Sequence, residues 1–172
     1  MTRLTLLIAA CLFAVPATAQ TPAANPADVA SLEAIMAATY ASISGPAGPR
    51  QWDRLRSLFA PEGRLIPTSC NADTGACGAR PLSVEEYIAR VEPFFNDNPF
   101  FEIEVKQIAE RYGTIAHVFS TYESRRDPSD AQPFVRGINT FQLRFDGTRW
   151  WVVSIMWVDE NSAGPIPERY LP

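Results

Sequence analysis

Basic side chains are scarce and nearly all of one kind. There are 15 against 19 acidic residues, giving a formal charge of −4, and Lys106 is the one lysine among them. The chain therefore lacks the basic stripe by which a protein displaces counterions from nucleic acid. Its one short basic spot, Arg125-Arg126, is followed at once by Asp127 and reads as a solvated loop. Histidine is rarer still, with His117 alone. There is no G-x-G-x-x-G, no Walker loop, no H-E-x-x-H and no G-x-S-x-G elbow, so nucleotide, zinc and serine-hydrolase chemistry have no motif to rest on. Neither a cofactor nor a metal is implied.

What is present is the composition of a single globular domain. A content of 47% hydrophobic and 20% charged residues excludes general disorder, and 15 prolines exclude one long helix or coiled coil. Residues 1–19 read as a secretory signal peptide: Arg3 supplies the positive start, residues 4–15 the apolar run, and Ala17-Thr18-Ala19 the cleavage site before Gln20. The apolar run is short of the roughly 20 residues that span a bilayer. A rival reading takes Ile8-Ala9-Ala10-Cys11 as a lipoprotein box with Cys11 lipidated, but apolar residues 12–15 would then follow the anchor. The expected locale is thus periplasmic or secreted. Losing the leader leaves Cys70 and Cys77, an even pair closing a short polar loop, and in an oxidising space such a pair forms a disulfide. Free thiols or a redox pair are the alternatives, although the spacing is not C-x-x-C.

The rest of the chain reads in order. Residues 20–27 are a small-residue lead-in. Asn25 caps a helix with Pro26 at its first position, and Val29, Leu32, Ile35, Met36, Tyr40 and Ile43 line its apolar face. Gly45-Pro46 stops it. Pro49 opens a shorter helix, with Trp52, Leu55, Leu58 and Phe59 on one face, which Pro61 ends. A short strand follows at 64–66. Ser83 and Glu86 form a capping box for a third helix, with Pro93 weakening its last turn. The period then changes to two: Phe101, Ile103 and Val105 alternate with Glu102, Glu104 and Lys106, which reads as a half-buried strand. Strands at 114–125, 134–145 and 150–158 follow, the last two joined by the Asp146-Gly147 turn. Helices grouped before an antiparallel meander define an α+β domain over residues 28–160, with a Pro-rich tail at 161–172.

The helix IMAATY at 35–40, the segment from Trp52 to Phe59 followed by Pro61, and the hairpin from Gly137 through Asp146-Gly147 to Ile155 resemble the NTF2-like superfamily. Its SnoaL-like or DUF4440-like bacterial branch is the nearest in pattern. The resemblance implies an NTF2-like cone, in which a curved, mostly antiparallel sheet is covered by three N-terminal helices around a pocket. It also implies a homodimer through the outer sheet face. Superfamily members include isomerases, cyclases, dehydratases and proteins with no activity, so fold alone does not choose among them.

Several residues are candidates for chemistry. His117 is the natural general acid or base near neutral pH, or else a satisfied sheet histidine. Asp159, ending an apolar strand face, is a candidate base at the pocket mouth, or the start of an exposed exit loop. Arg136 either clamps a ligand carboxylate or pairs with Glu123. Tyr40, Trp52, Tyr122, Asn139 and Trp157 are candidate pocket residues. The leading expectation is an exported domain that binds a small hydrophobic or amphipathic ligand. The alternatives are a proton-transfer enzyme of the isomerase, cyclase or dehydratase type, and an interaction module. The cysteine reading is checked by mass: intact exported protein should resist alkylation at both Cys70 and Cys77 until reductant is added, and modification of both without reductant contradicts the disulfide.

Overall fold

A computed structural model describes residues 21–71 and 73–172; the leader and Cys11 lie outside the described residues. The element order is α1 (Pro26–Val29), α2 (Leu32–Ile43), α3 (Trp52–Leu58), β1 (Phe59–Cys70), β2 (Cys77–Ala79), α4 (Val84–Asp97), β3 (Phe101–Tyr112), β4 (Ile115–Arg125), β5 (Val135–Phe145), β6 (Trp150–Asp159) and α5 (Glu160–Ala163). A single curved sheet runs β2-β1-β6-β5-β4-β3. All pairs are antiparallel except β1 with β6. This is the α+β architecture expected from the sequence: β3 to β6 form the meander, and α2, α3 and α4 pack on one face. Among the described residues no helix is long and apolar enough to cross a membrane.

Local details depart from the sequence reading for identifiable reasons. The first helix is two, because Ser31 turns extended and accepts from Ala34 N at 3.1 Å, starting α2 afresh. Strand β1 is far longer than 64–66. It begins directly at Phe59, and a bulge between Phe59 and Arg64 absorbs Pro61 and Gly63. The capping box at Ser83 and Glu86 is formed, and Pro93 sits inside α4 without ending it. The sulfurs of Cys70 and Cys77 lie 1.97 Å apart, joining β1 to β2 across a register pair. The tail is laid on the outer sheet face: Ile166 is buried, Thr121 Oγ1 donates to the Tyr170 carbonyl at 2.6 Å, and the Tyr170 ring meets Phe119 at 4.8 Å.

Register fixes which side chains face the helices. On β4 the even positions, Ala116, Val118, Ser120, Tyr122 and Ser124, are buried against them. Their cross-strand partners share that face: Phe141, Asn139 and Gly137 on β5, and Glu104 and Glu102 on β3. The inward face of β3 is therefore the acidic one. Its apolar residues Ile103 and Ile108 stay exposed, since β3 is the sheet's edge.

Gly137 marks the closest approach in the sheet. A Cβ there would collide with the Val158 carbonyl oxygen and lie 2.6 Å from Tyr122 Oη and 2.8 Å from Asp159 Cα. Two of these obstacles are backbone and cannot swing aside. Gly137→Ala should cost about 2–3 kcal/mol, the upper end of ordinary overpacking, seen as a lower urea midpoint with unchanged slope.

Candidate functional site

The helices and the inner sheet face do not close fully. They leave a cavity of ≈ 300 Å³ with a predominantly apolar wall that includes Ile43, Leu55, Phe95, Phe100, Phe141 and Trp157. The exposed liners Arg90 and Phe94 of α4 mark where it meets solvent. Into this hydrocarbon surface come Tyr40, Tyr87, Glu102, Tyr122 and Asn139.

Glu102 is the centre of the polar group. Its backbone is gripped by Ser44 at the exit of α2: Glu102 N donates to Ser44 Oγ at 3.0 Å, and that hydroxyl lies within reach of the Tyr40 and Glu102 carbonyls. The same joint is closed by Gly45 and Phe100, which exchange backbone hydrogen bonds at 2.8 and 2.9 Å. Arg50, itself buried, braces it by donating to the carbonyls of Ile43, Gly45, Pro46, Gly48 and Asn98. The carboxyl group of Glu102 accepts from Ser124 Oγ at 3.0 Å and from Asn139 Nδ2 at 3.4 Å. Burial disfavours its charge more than these two donors favour it, so its pKa is pushed up to about 7.

The tyrosines are tuned by the same surroundings. Burial first, then the nearby Glu102 charge, raises the phenol pKa of Tyr40, Tyr87 and Tyr122. All three stay protonated across the physiological range. Tyr40 reaches the site from the buried face of α2. Its hydroxyl meets Ser120 Oγ at 2.7 Å and accepts from Asn139 Nδ2 at 3.1 Å. Tyr87 stands edge-on to Trp157 at 6.2 Å.

The sequence candidates separate cleanly by location. Tyr40, Tyr122, Asn139 and Trp157 line the cavity. Trp52 lies beside it, donating to Glu92 at 2.9 Å and stacking on Phe95. His117 is on the opposite sheet face, where Nε2 is 2.8 Å from Thr140 Oγ1. Asp159 caps α5 by accepting from Ser162 N at 2.9 Å. Arg136 pairs with Glu160 across the β5–α5 corner, not with Glu123, which holds Arg125 at 2.6 Å. Glu102 has no signal of its own in the sequence, because alternation with Phe and Ile defines two faces without saying which is inner. The signal that locates it is on the neighbouring strand: hydroxyls at Ser120, Tyr122 and Ser124 share one face and match two acids spaced i, i+2.

No protein-family model and no curated protein matches the chain. Solved structures do. A Nostoc punctiforme protein with a cystatin-like fold aligns with TM-score 0.57 and 13% identity, over 82% of this chain and 91% of that one. The yeast UBP3-associated protein BRE5 aligns with TM-score 0.51 and 12% identity, over 74% and 92%. An NTF2-like protein from Cytophaga hutchinsonii aligns at 0.49 and 10%, over 73% and 90%. At such identities the first two establish a shared fold and nothing about chemistry.

The raised pKa of Glu102 has a consequence for stability. Below about pH 4.5 both folded and unfolded chains carry this carboxyl protonated. As pH rises toward 7 the unfolded chain ionises first, so this group's contribution falls over that window and the loss is complete above about pH 7. Glu102→Gln removes the titration. Its stability relative to the parent should therefore rise between pH 4.5 and 8 by up to about 3 kcal/mol, measured by urea unfolding; a constant difference across that range contradicts the raised pKa.

Proposed function

We propose that this is an exported domain of the SnoaL-like type whose cavity binds a small, mainly apolar molecule by a polar end placed at Glu102. The observation that supports this most is a carboxyl group of raised proton affinity at the polar spot of a hydrocarbon-walled cavity. The aromatic wall of Phe94, Phe95, Phe100, Phe141 and Trp157 favours a ring or a compact chain. The signal-like leader and the Cys70–Cys77 pair support export.

A second reading, proton-transfer catalysis of the isomerase or dehydratase kind, is favoured by the same carboxyl group. A base that titrates near neutrality combines availability with driving force. Phenols that stay protonated supply donors for a developing oxyanion. In that reading Glu102 takes a proton from the carbon beside a ligand carbonyl. His117 and Asp159 do not line this cavity.

A thermal-shift screen of cyclic ketones and phenols tests both. A ligand that stabilises the parent should lose about 10- to 100-fold in affinity in Glu102→Gln, the range of a charge-assisted hydrogen bond, and keep its affinity in His117→Ala. Equal affinity in parent and Glu102→Gln contradicts the placement of the ligand. In D2O, deuterium uptake next to the ketone carbonyl that needs Glu102 assigns catalysis; a ketone that binds without exchange assigns binding alone.

A further inference from the structure

A second space reaches Tyr40 and Glu102. It is a groove of ≈ 480 Å³ between α2 and β3, lined also by Glu33, Ala37, Ser44, Glu104 and Arg125. Glu104 stands two residues along β3 from Glu102 on the same face. It is joined to the cavity by contacts in series. Ser120 Oγ hydrogen-bonds Glu104 Oε2, Tyr40 Oη meets Ser120 Oγ at 2.7 Å, and Asn139 Nδ2 donates to Tyr40 Oη at 3.1 Å. Ser120 and Tyr40 are buried, so these hydroxyls have little recourse to bulk water.

Each hydroxyl carries one proton, which gives the series a direction. An ionised Glu104 can only accept. Ser120 must then donate to it, Tyr40 must donate to Ser120, and the phenol oxygen offers the cavity only a lone pair. A proton on Glu104 Oε2, the oxygen that meets Ser120, reverses the order. Glu104 donates to Ser120, Ser120 donates to Tyr40, and the Tyr40 proton turns to the cavity. Asn139 donates to Tyr40 in both arrangements, because an amide NH2 has no lone pair to offer.

We propose that Glu104 and Ser120 are positioning residues that set the direction of the Tyr40 hydroxyl, so that a proton on Glu104 makes Tyr40 a donor to a ligand oxygen and its loss makes Tyr40 an acceptor. The proposal rests on the cavity being a ligand site and adds a ligand class: an oxygen compound that exists in carbonyl and hydroxyl forms. The donor arrangement suits the carbonyl and the acceptor arrangement suits the hydroxyl. Burial, opposed by the Ser120 hydrogen bond, raises the pKa of Glu104. The titratable and charged groups facing it are Glu33 and Tyr40 of α2, Glu102 of β3, and Tyr122 and Arg125 of β4. Arg125 is engaged by Glu123, while Glu33 and Glu102, when ionised, favour the proton on Glu104.

The test uses ligand-free protein labelled with carbon-13 at tyrosine Cζ, in a Glu102→Gln background that removes the other cavity acid. Tyr40→Phe identifies the resonance. The Tyr40 signal should pass through one pH transition, centred where the Glu104 carboxyl carbon titrates and above the ordinary carboxylate range. Glu104→Gln should abolish the transition. Ser120→Ala should abolish it while Glu104 still titrates, and Ser120→Thr, which keeps the hydroxyl, should retain it. A Tyr40 signal that stays constant while Glu104 titrates overturns the proposal. So does one that titrates unchanged in Ser120→Ala, or, where that variant does not fold, one that persists in Glu104→Gln. No ligand is present, so failure here leaves the ligand test of Glu102 standing on its own.

Discussion

A carboxyl group taken from water into a hydrocarbon-walled space keeps its charge only as far as nearby donors replace the lost hydration. At Glu102 the donors are two, the Ser124 hydroxyl and the Asn139 amide. They are enough to hold the group in place and too few to hold its charge, which is why it titrates near 7. Much of the site's character follows from this balance. The phenols around Glu102 stay protonated because burial and its charge both oppose their ionisation.

Holding such a group requires a rigid frame, since a small backbone shift would let water in or separate the donors. The frame is built where α2 meets β3. Ser44 clasps the Glu102 peptide, Gly45 and Phe100 pair as a miniature ladder, and the Arg50 guanidinium gathers five carbonyls. Arg50 has no carboxylate partner among the described residues. Its charge is met by carbonyl dipoles and by the Phe95 ring at 4.8 Å. Charges thus enter the core only where oriented backbone or hydroxyls await them. Around them the hydrophobic cluster runs from Ile35 and Met36 to Val118 and Val152.

Much of this was legible in the sequence. Helical spacing in α2, the capping box of α4, the Asp146-Gly147 turn and the cysteine pair are local signals, and local physics carried them into the fold. Four of the candidate pocket residues line the cavity: Tyr40 lies on a helix face whose period is readable, whereas register sets the inner face of the strands that carry Tyr122, Asn139 and Trp157. The two proton-transfer candidates fell outside it. His117 is the chain's one imidazole, but its strand has two mixed faces, and register with β5 decides which is inner. Glu102 stayed hidden because alternation gives two faces without naming the wet one. On an edge strand the outward face can remain apolar, as Ile103 and Ile108 show, so the usual inference inverts. Arg136 found Glu160 because α5 folds back over the corner, a long-range event with no local signature.

The most direct measurement is the titration of the Glu102 carboxyl carbon by carbon-13 NMR, assigned by its disappearance in Glu102→Gln. A midpoint near 7 is predicted, together with a parallel response in the ring signals of Tyr40, Tyr87 and Tyr122. A midpoint in the ordinary glutamate range, near about 4.3, would mean that the group is fully solvated or fully partnered, and the account of the cavity as a tuned ligand site would not survive it.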